Sequence, residues 1–420
     1  METPSVSGFA TLQVTALARF CYEFSIIMLD VLDNRIDTDE LTHHVSRITH
    51  HFAAMRAEWS ELMESSHAGV FNSWEWLYPW YTRIAADRVL HILQARDGDG
   101  QLLGLMPLCM DRRSAMGLTL RRLAFLGDTE VGSDYLDLVA RRGYEEDVTR
   151  AFLQSLRDSA DEWDVLDLLD MDAEARTVQV LQEVFGGGAF VVEINEGSVC
   201  PYETFVPGET SAEFLRRTRR YDNYVRRKKW LQKQPGYRIE ITSNPGEVAT
   251  PLSEFMSLHA SRWAEDGGSQ GITGPEVEAF HRDATQFLAE RGQLRLYTMM
   301  VGDRAVASVY GIIQGGTFIY YQSGRDPEWQ SKSVGLVLVG ETFKDAIDMG
   351  LREYDFLRGV ETYKSDWVTK ERRTVGMRVY KQGSKGAWLT RSERISRATR
   401  RLLKKALPDK VVDLLKRSRK

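Results

Sequence analysis

Three cysteines occur in 420 residues: Cys21, Cys109 and Cys200, far apart and with no spacing that closes a metal or redox site. Isolated cysteines usually behave as small buried hydrophobes. A reducing, cytoplasmic compartment without a disulfide framework is therefore expected. No apolar run approaches the roughly 18 residues needed to span a bilayer. The most apolar early patch, "FSIIMLDVL", is interrupted by Asp30. The start lacks a basic segment followed by a clean apolar run, which argues against a secretory leader. Three nucleotide and nucleophile signatures are also missing: G-x-x-x-x-G-K-[ST], G-x-G-x-x-G after a strand, and a G-x-S-x-G elbow. Without them the P-loop, kinase, dinucleotide-binding and serine-triad readings lose their basis. Four of the eight histidines crowd into "THHVSRITHH", residues 42–51. Neighbouring histidines do not by themselves make a coordination shell. This run is read as a solvated helix flank or linker, and no metal is expected.

What is present is enough for a large packed core. Hydrophobic residues make up 43% and charged residues 27%, with ten tryptophans and sixteen tyrosines. Length alone suggests two or three domains. The net charge of −5 conceals an asymmetry: residues 391–420 carry +9, leaving −14 on residues 1–390. A basic amphipathic tail of this kind suits an anionic membrane surface, a partner protein or the acidic body itself.

Along the chain, residues 52–65 have helical spacing through Phe52, Met55, Trp59 and Leu62. "VFNSWEWLYPWYTRIA" follows, a short helix capped by Asn72 or Ser73. Its Trp74 and Trp76, with Glu75, form either an aromatic packing wedge or one wall of a substrate groove. A hairpin then turns at "DGDG", and "TLRRLAFLGD", an amphipathic helix at "YEEDVTRAFLQSLRDS" and a strand at "WDVLDLLDM" come next. The same grammar recurs later, with a hairpin at Gly302-Asp303, the strand "TFIYYQSGRD", the helix "VGLVLVGETFKDAIDMG" and the strand "LREYDFL". Hairpin, strand, helix, strand thus appears twice, at about 88–170 and 292–357, and implies an internal repeat. Between the halves, "GGGAF" and "NEGSVCPYETFVPGET" interrupt the order. A capping box at Thr210 and Glu213 then opens a strongly basic helix reaching about Gln234. Its charge suits an RNA backbone, although a solvated basic face is the simpler reading. The resulting divisions are an extension at 1–50, subdomains at 51–200 and 201–385, and the tail at 386–420.

Two stretches carry chemistry. In "SGRDPEWQSKSVGLVLVGETF" a strand ends near Ser323 and a helix begins near Ser333–Gly335, charge-free through Gly340. Unpaired N–H groups at such a helix start bind anions. Arg325 and Lys332 add positive charge, and Gly335 permits close approach of a ligand. In "LREYDFLRGVETYKSDW", alternation puts Asp355 on the face opposite Tyr354 and Phe356. Asp355 is a candidate acid–base residue, Arg358 a partner for Asp355 or for an anionic donor, and Lys364 a contact for phosphate or oxyanion.

Taken together, "GDRAVASVYGIIQGGTFIYYQSGRDPEW", "SVGLVLVGETFKDAIDMG" and "YDFLRGVETYKSDW" resemble the GNAT-like acyltransferases of the CelD-type or BioF2-like kind, associated with cellulose and exopolysaccharide synthesis. "FNSWEWLYPW", "GSDYLDLV" and the arginine-rich helix share the likeness, which covers about 70–380. More distantly the chain is similar to Fem-type aminoacyl transferases. The resemblance implies an α/β fold of tandem GNAT-like subdomains with mixed central sheets. It also implies an acyl-CoA cosubstrate, acetyl-CoA first, and an acceptor hydroxyl or amine on a sugar, exopolysaccharide or cell-envelope precursor. Ser333, Val334 and Gly335 would meet the pantetheine pyrophosphate. Asp355, Arg358, Tyr363 and Lys364 would flank the transfer site, with Tyr363 the alternative proton donor to the thiol. Tyr320 and Tyr321 would line the tunnel, and Glu75 and Asp134 the acceptor groove. Gln330 to Gly335 departs from the GNAT signature of Gln or Arg, two variable residues, Gly, one variable residue and Gly or Ala. Aminoacyl-tRNA therefore stands as the alternative donor. A non-catalytic scaffold of a polysaccharide system is the alternative from another class. The expected location is cytoplasmic or peripheral at the inner membrane face.

Overall fold

A computed structural model describes residues 44–115, 117–265, 272 and 274–394. Most of the 1–50 extension, and the tail beyond Arg394, lie outside the described residues.

The histidine run forms strand β1 (His44–Ile48), not a helix flank, and pairs with β2 (Val89–Arg96). Between them come helices α1 (Arg56–Glu64) and α2 (Trp74–Ile84). The "DGDG" turn joins β2 to β3 (Leu102–Ala115), followed by β4 (Leu118–Phe125), the short β5 (Val139–Ala140), α3 (Glu145–Asp158), β6 (Val165–Asp172) and α4 (Arg176–Phe185). The segment read as an interruption is strand β7 (Phe190–Thr204), which runs through the middle of the sheet. The second half supplies α5 (Ser211–Arg217), α6 (Tyr221–Leu231), β8 (Arg238–Thr242), α7 (Ala249–Glu265) and α8 (Pro275–Glu290). β9 (Leu294–Val301), β10 (Arg304–Gln314), β11 (Thr317–Arg325), α9 (Val334–Asp348), β12 (Glu353–Asp355) and β13 (Lys370–Lys381) complete it.

The capping box forms as expected: Thr210 Oγ1 accepts from Glu213 N, while the Glu213 carboxylate accepts from Thr210 N at 2.9 Å. The single basic helix does not. Thr218 turns extended at ψ 150° and ends α5. The Arg219 amide then donates to the Asp366 carbonyl, and the Arg220 guanidinium to the Asp366 carboxylate at 2.6 Å. A tertiary anchor thus competes successfully with helix continuation.

The repeat is real, and it is crossed. β4 runs parallel to β6, and β11 parallel to β12, each pair flanked by its own antiparallel hairpin. Instead of two sheets, one continuous mixed sheet forms among the described residues, in the order β1-β2-β3-β4-β6-β13-β7-β12-β11-β10-β9-β8. The last strand of the second half, β13, pairs with β6 of the first. The last strand of the first, β7, pairs with β12 of the second. β7 and β13 pair with each other along nearly their whole length.

Two buried clusters flank the sheet. One joins the first half to α7, α8 and one face of β10 and β11, with Trp76 edge-on to both Phe280 and Tyr321. The other lies under α5, α6 and α9 and is built on Phe343, which stacks on Tyr354 at 3.8 Å and on Phe214 at 5.0 Å. Gly340 keeps α9 close to this layer, because a Cβ there would lie 2.4 Å from the Tyr224 ring.

Candidate active site

β11 and β12 pair only from Thr317↔Glu353 to Ile319↔Asp355, then diverge. On its other side β11 carries a bulge, where the register with β10 shifts between Tyr310 and Gly311. A bulge re-aims the local backbone, and the divergence leaves a wedge in the sheet. The start of α9 faces this wedge. A 3-10 turn, Pro327–Lys332, is capped by the Asp326 carboxylate, and Ser333 then adopts the left-handed conformation at φ 61°. The Ser333 side chain does not cap α9, and no acidic residue stands in its first turn. The first N–H groups therefore lack an intrahelical acceptor.

A cavity of about 410 Å³ opens there. Ser333 and Gly335 line it, and a Cβ built on Gly335 would meet nothing within 4 Å. Three arginines, Arg220, Arg262 and Arg325, border the same space. Arg262 is oriented by Ser323, whose hydroxyl lies 2.7 Å from the guanidinium. Uncapped amides, a glycine-open approach and three guanidiniums together fit a polyphosphate-bearing donor. Of the expected donor contacts, Lys332 instead sits over the Trp230 ring at 5.2 Å, and Val334 is buried in the core.

The cleft narrows into a polar chamber of about 70 Å³ that shares Arg262, Tyr320, Ser323 and Tyr363 with it. Both halves build this chamber. Gly132 and Asp134 come from the first; Tyr321, Arg358, Glu361 and Lys364 come from the second. Asp134 is fully buried and accepts from the Arg358 amide at 3.0 Å and its Nε at 2.7 Å. Arg358 also meets Asp170 at 3.1 Å. Burial raises the Asp134 pKa, with Arg358 opposing. The buried Lys364 ammonium donates to the Phe356 and Arg358 carbonyls and pairs with Glu361 at 3.0 Å. Tyr321 donates to the Val131 carbonyl at 2.5 Å. Burial pushes the Tyr320 and Tyr363 hydroxyls upward in pKa, so both keep their protons at neutral pH.

Asp355 faces the other way. It lines a separate groove of about 450 Å³ between the halves, bordered by Tyr135, Asp137, Glu353 and Arg372. Its carboxylate accepts from the Leu357 amide at 2.7 Å and the Tyr135 hydroxyl at 3.0 Å, and lies 3.4 Å from Arg372. Burial pushes it up to about 7, against the pull of Arg372. The structure thus brings Arg358, Tyr363, Lys364, Asp134, Tyr320 and Tyr321 together around one chamber, and places Asp355 in the separate groove. Trp74, Glu75 and Trp76 line none of these cavities and are buried, Trp74 stacked on Tyr78 and Glu75 facing Arg56. Sequence reasoning missed Arg262, Glu361 and Gly132. Glu361 stood within a quoted motif, whereas Arg262 on α7 had no local signal. No group of metal-ligating side chains occurs among the described residues.

Residues 216–365 match the family model described as "Acetyltransferase (GNAT) domain". Among solved structures, FemX is similar at 13% identity and TM-score 0.56, covering 80% of this chain and 97% of that one. The C-terminal DUF2156 domain of a protein assigned as a lysylphosphatidylglycerol synthetase from Agrobacterium fabrum is similar at 7% identity and TM-score 0.50, covering 82% and 96%. No curated protein sequence matches the chain. The matched segment contains α9, the wedge and the chamber loop, and the match supports an acyltransferase.

Proposed function

We propose that the protein moves an acyl group, acetyl first, from acyl-CoA to a hydroxyl or amine of a sugar, exopolysaccharide or cell-envelope precursor. The resemblance of the sequence to CelD-type or BioF2-like acyltransferases, associated with cellulose and exopolysaccharide synthesis, supports this reading. The observation that carries the reading is the continuity between the cleft at the uncapped α9 start and the two-half chamber at Tyr363. The pyrophosphate meets the α9 amides with Arg325 and Arg220, and the thioester lies in the β11–β12 wedge. Holding donor and acceptor in register supplies the larger part of the acceleration. Tyr363 gives its proton to the departing thiolate. Arg358 and Lys364 hold the loop in shape through Asp134 and through the Phe356 and Arg358 carbonyls. At about 70 Å³ the chamber accepts an amino or hydroxyl group with its carbon, so the bulk of the acceptor stays outside.

The test is turnover by the full chain with a panel of acyl-CoAs and sugar acceptors, followed by thiol release and product mass. Saturating donor at ~100 times Kd should add about 2.7 kcal/mol of apparent stability. Neither thermal protection nor thiol release with any donor would leave the scaffold alternative in place.

One observation favours a second reading, aminoacyl-tRNA as donor. Arg216, Arg219, Arg226, Lys229 and Lys233 are exposed on α5, the link to α6, α6 and the turn after it, next to Arg220 at the cleft mouth. RNA binding that weakens steeply with salt, together with transfer from charged tRNA, would move the donor to that class. Association with the inner membrane face rests on the basic tail, since no helix among the described residues is long and apolar enough to cross a membrane. Vesicle binding by full-length and tail-truncated chains tests it.

A further inference from the structure

The cations of residues 211–234 fall into two groups. Nine Lys and Arg stand here against two acids, a local charge of +7 on a chain of net charge −5. Arg217, Arg220 and Lys228 each hold a carboxylate: Glu209 at 2.8 Å, Asp366 at 2.6 Å and Glu341 at 2.6 Å. Arg216, Arg219, Arg227, Lys229 and Lys233 form no ion pair among the described residues, and Arg226 meets only the Asn223 side-chain oxygen, at 2.9 Å. Water satisfies an exposed cation, so most of these need no partner. Arg227 differs. It is half-buried, and its Nε is shielded from water with no acceptor. A shielded donor left unpaired is destabilising, and a bound anion would complete it.

Position gives this charge a direction. Arg219 and Arg220 fasten the link before α6 to Asp366, two residues beyond Lys364 of the chamber loop. From Arg220, Asn223, Arg227 and Trp230 follow at helical spacing along one side of α6, and the first two of these four line the cleft. Arg226, Lys229 and Lys233 make the exposed ridge beside them. Trp230 is 36% exposed, and the Lys332 ammonium, which leads into the start of α9, lies over its ring at 5.2 Å. It is the one exposed ring in residues 211–234, since Tyr221 is half-buried and Phe214 and Tyr224 are buried.

We infer that this side of α6 holds the body of an acidic glycan acceptor, a polymer whose uronate carboxylates meet the unpaired cations while a sugar ring rests against Trp230. The inference rests on the acyl-transfer reading above and deepens it. The chamber takes only the reacting group, so the rest of the acceptor requires a surface that begins at the chamber loop, as this one does. Guanidinium–carboxylate contacts are charge-assisted and can be bidentate. The tRNA reading draws on the same cations. Single-stranded nucleic acid is held by stacking successive bases on several rings, and this face offers one.

The experiment is calorimetry of the full chain with a galacturonate hexamer, a neutral glucan hexamer and uncharged tRNA at matched salt. It is repeated on the triple variant Arg226→Glu, Lys229→Glu, Lys233→Glu and on Trp230→Ala. The galacturonate hexamer should bind wild type, at least ~10-fold more tightly than the neutral hexamer, and more weakly as salt rises. The triple variant should lose at least ~10-fold in that affinity, and W230A about threefold through lost ring contact. Thermal protection of the triple variant by acyl-CoA shows that it is folded with its donor cleft intact. Equal affinity of wild type and the triple variant, or equal binding of the two hexamers, overturns the inference. So does tRNA binding that exceeds the galacturonate hexamer and is lost in the triple variant, which gives the face to RNA. Absence of thiol release with every acyl-CoA, alongside the expected galacturonate pattern, overturns the transfer reading and leaves glycan binding in place.

Discussion

The two halves begin their sheet-covering helices in opposite ways. α9 starts after a left-handed serine, has no acid in its first turn and leaves Gly335 open to a cavity. α3, at the same place in the first half, starts with Glu145, Glu146 and Asp147. The wedges differ too. Within the short β4–β6 pairing, Arg122 lies buried among Asp111, Asp128 and Asp167. Burial alone would lower its pKa, yet Asp128 and Asp167 raise it overall. One architecture thus yields an anion-ready helix start in the second half and an anion-repelling one in the first. What remains beside α3 is the groove that Asp355 lines, which also carries Asp137, Glu145, Asp172 and Glu353. That groove does not suit a pyrophosphate.

The largest expected effect comes from giving α9 the character of α3. Gly335→Glu puts a carboxylate into the open space at the helix start and should weaken acyl-CoA binding by at least ~100-fold, measured by calorimetry, because it opposes both the helix dipole and the ligand charge. Next is the tie between the halves. Arg358→Met strands buried Asp134 without its partner, and loss of one member of such a pair costs about 3 kcal/mol; urea unfolding should show it. A subtler effect is pH-dependent. Because the folded Asp355 carboxyl titrates near 7, the folded state holds a proton that an unfolded aspartate, with pKa about 3.9, has released. Wild-type stability from this group therefore declines as pH rises from about 4 to 7 and levels off above. Asp355→Asn removes that decline, so its urea midpoint should gain on wild type across pH 5–7. Equal pH slopes for the two proteins would contradict the burial argument. The smallest effect belongs to the triple change Glu145→Gln, Glu146→Gln, Asp147→Asn. It should cost under ~1 kcal/mol by loss of favourable helix-end charges and create no acyl-CoA site. New binding there would mean the first-half wedge is more open than its packing indicates.

Local chemistry made much of this legible in the sequence. The tight turns, the Thr210–Glu213 box and the start of α9 at Ser333 depend on neighbours in the chain, and they appear where expected. Alternation correctly placed Asp355 opposite Tyr354 and Phe356. It could not say which face holds the cleft, because that depends on the side to which α9 packs. The break at Thr218 escaped notice because its cause, Asp366, is distant in sequence. Arg262 reaches the cleft only because α7 packs on β11, where Gly324 lets the backbone of Leu258 and His259 approach within 3 Å of a would-be Cβ. The crossing of β7 and β13 leaves no trace in either strand's own pattern.

That crossing bears on how the chain is made. During synthesis the edge of β6 stays unpaired until β13 emerges, 209 residues after the end of β6 by the numbering of Asp172 and Lys381. At ~5–20 residues per second this is a delay of roughly ten to forty seconds. An open strand edge invites wrong partners. The amino-terminal half produced alone should accordingly be insoluble, and a nascent chain stalled before residue 370 should be held by chaperones rather than folded.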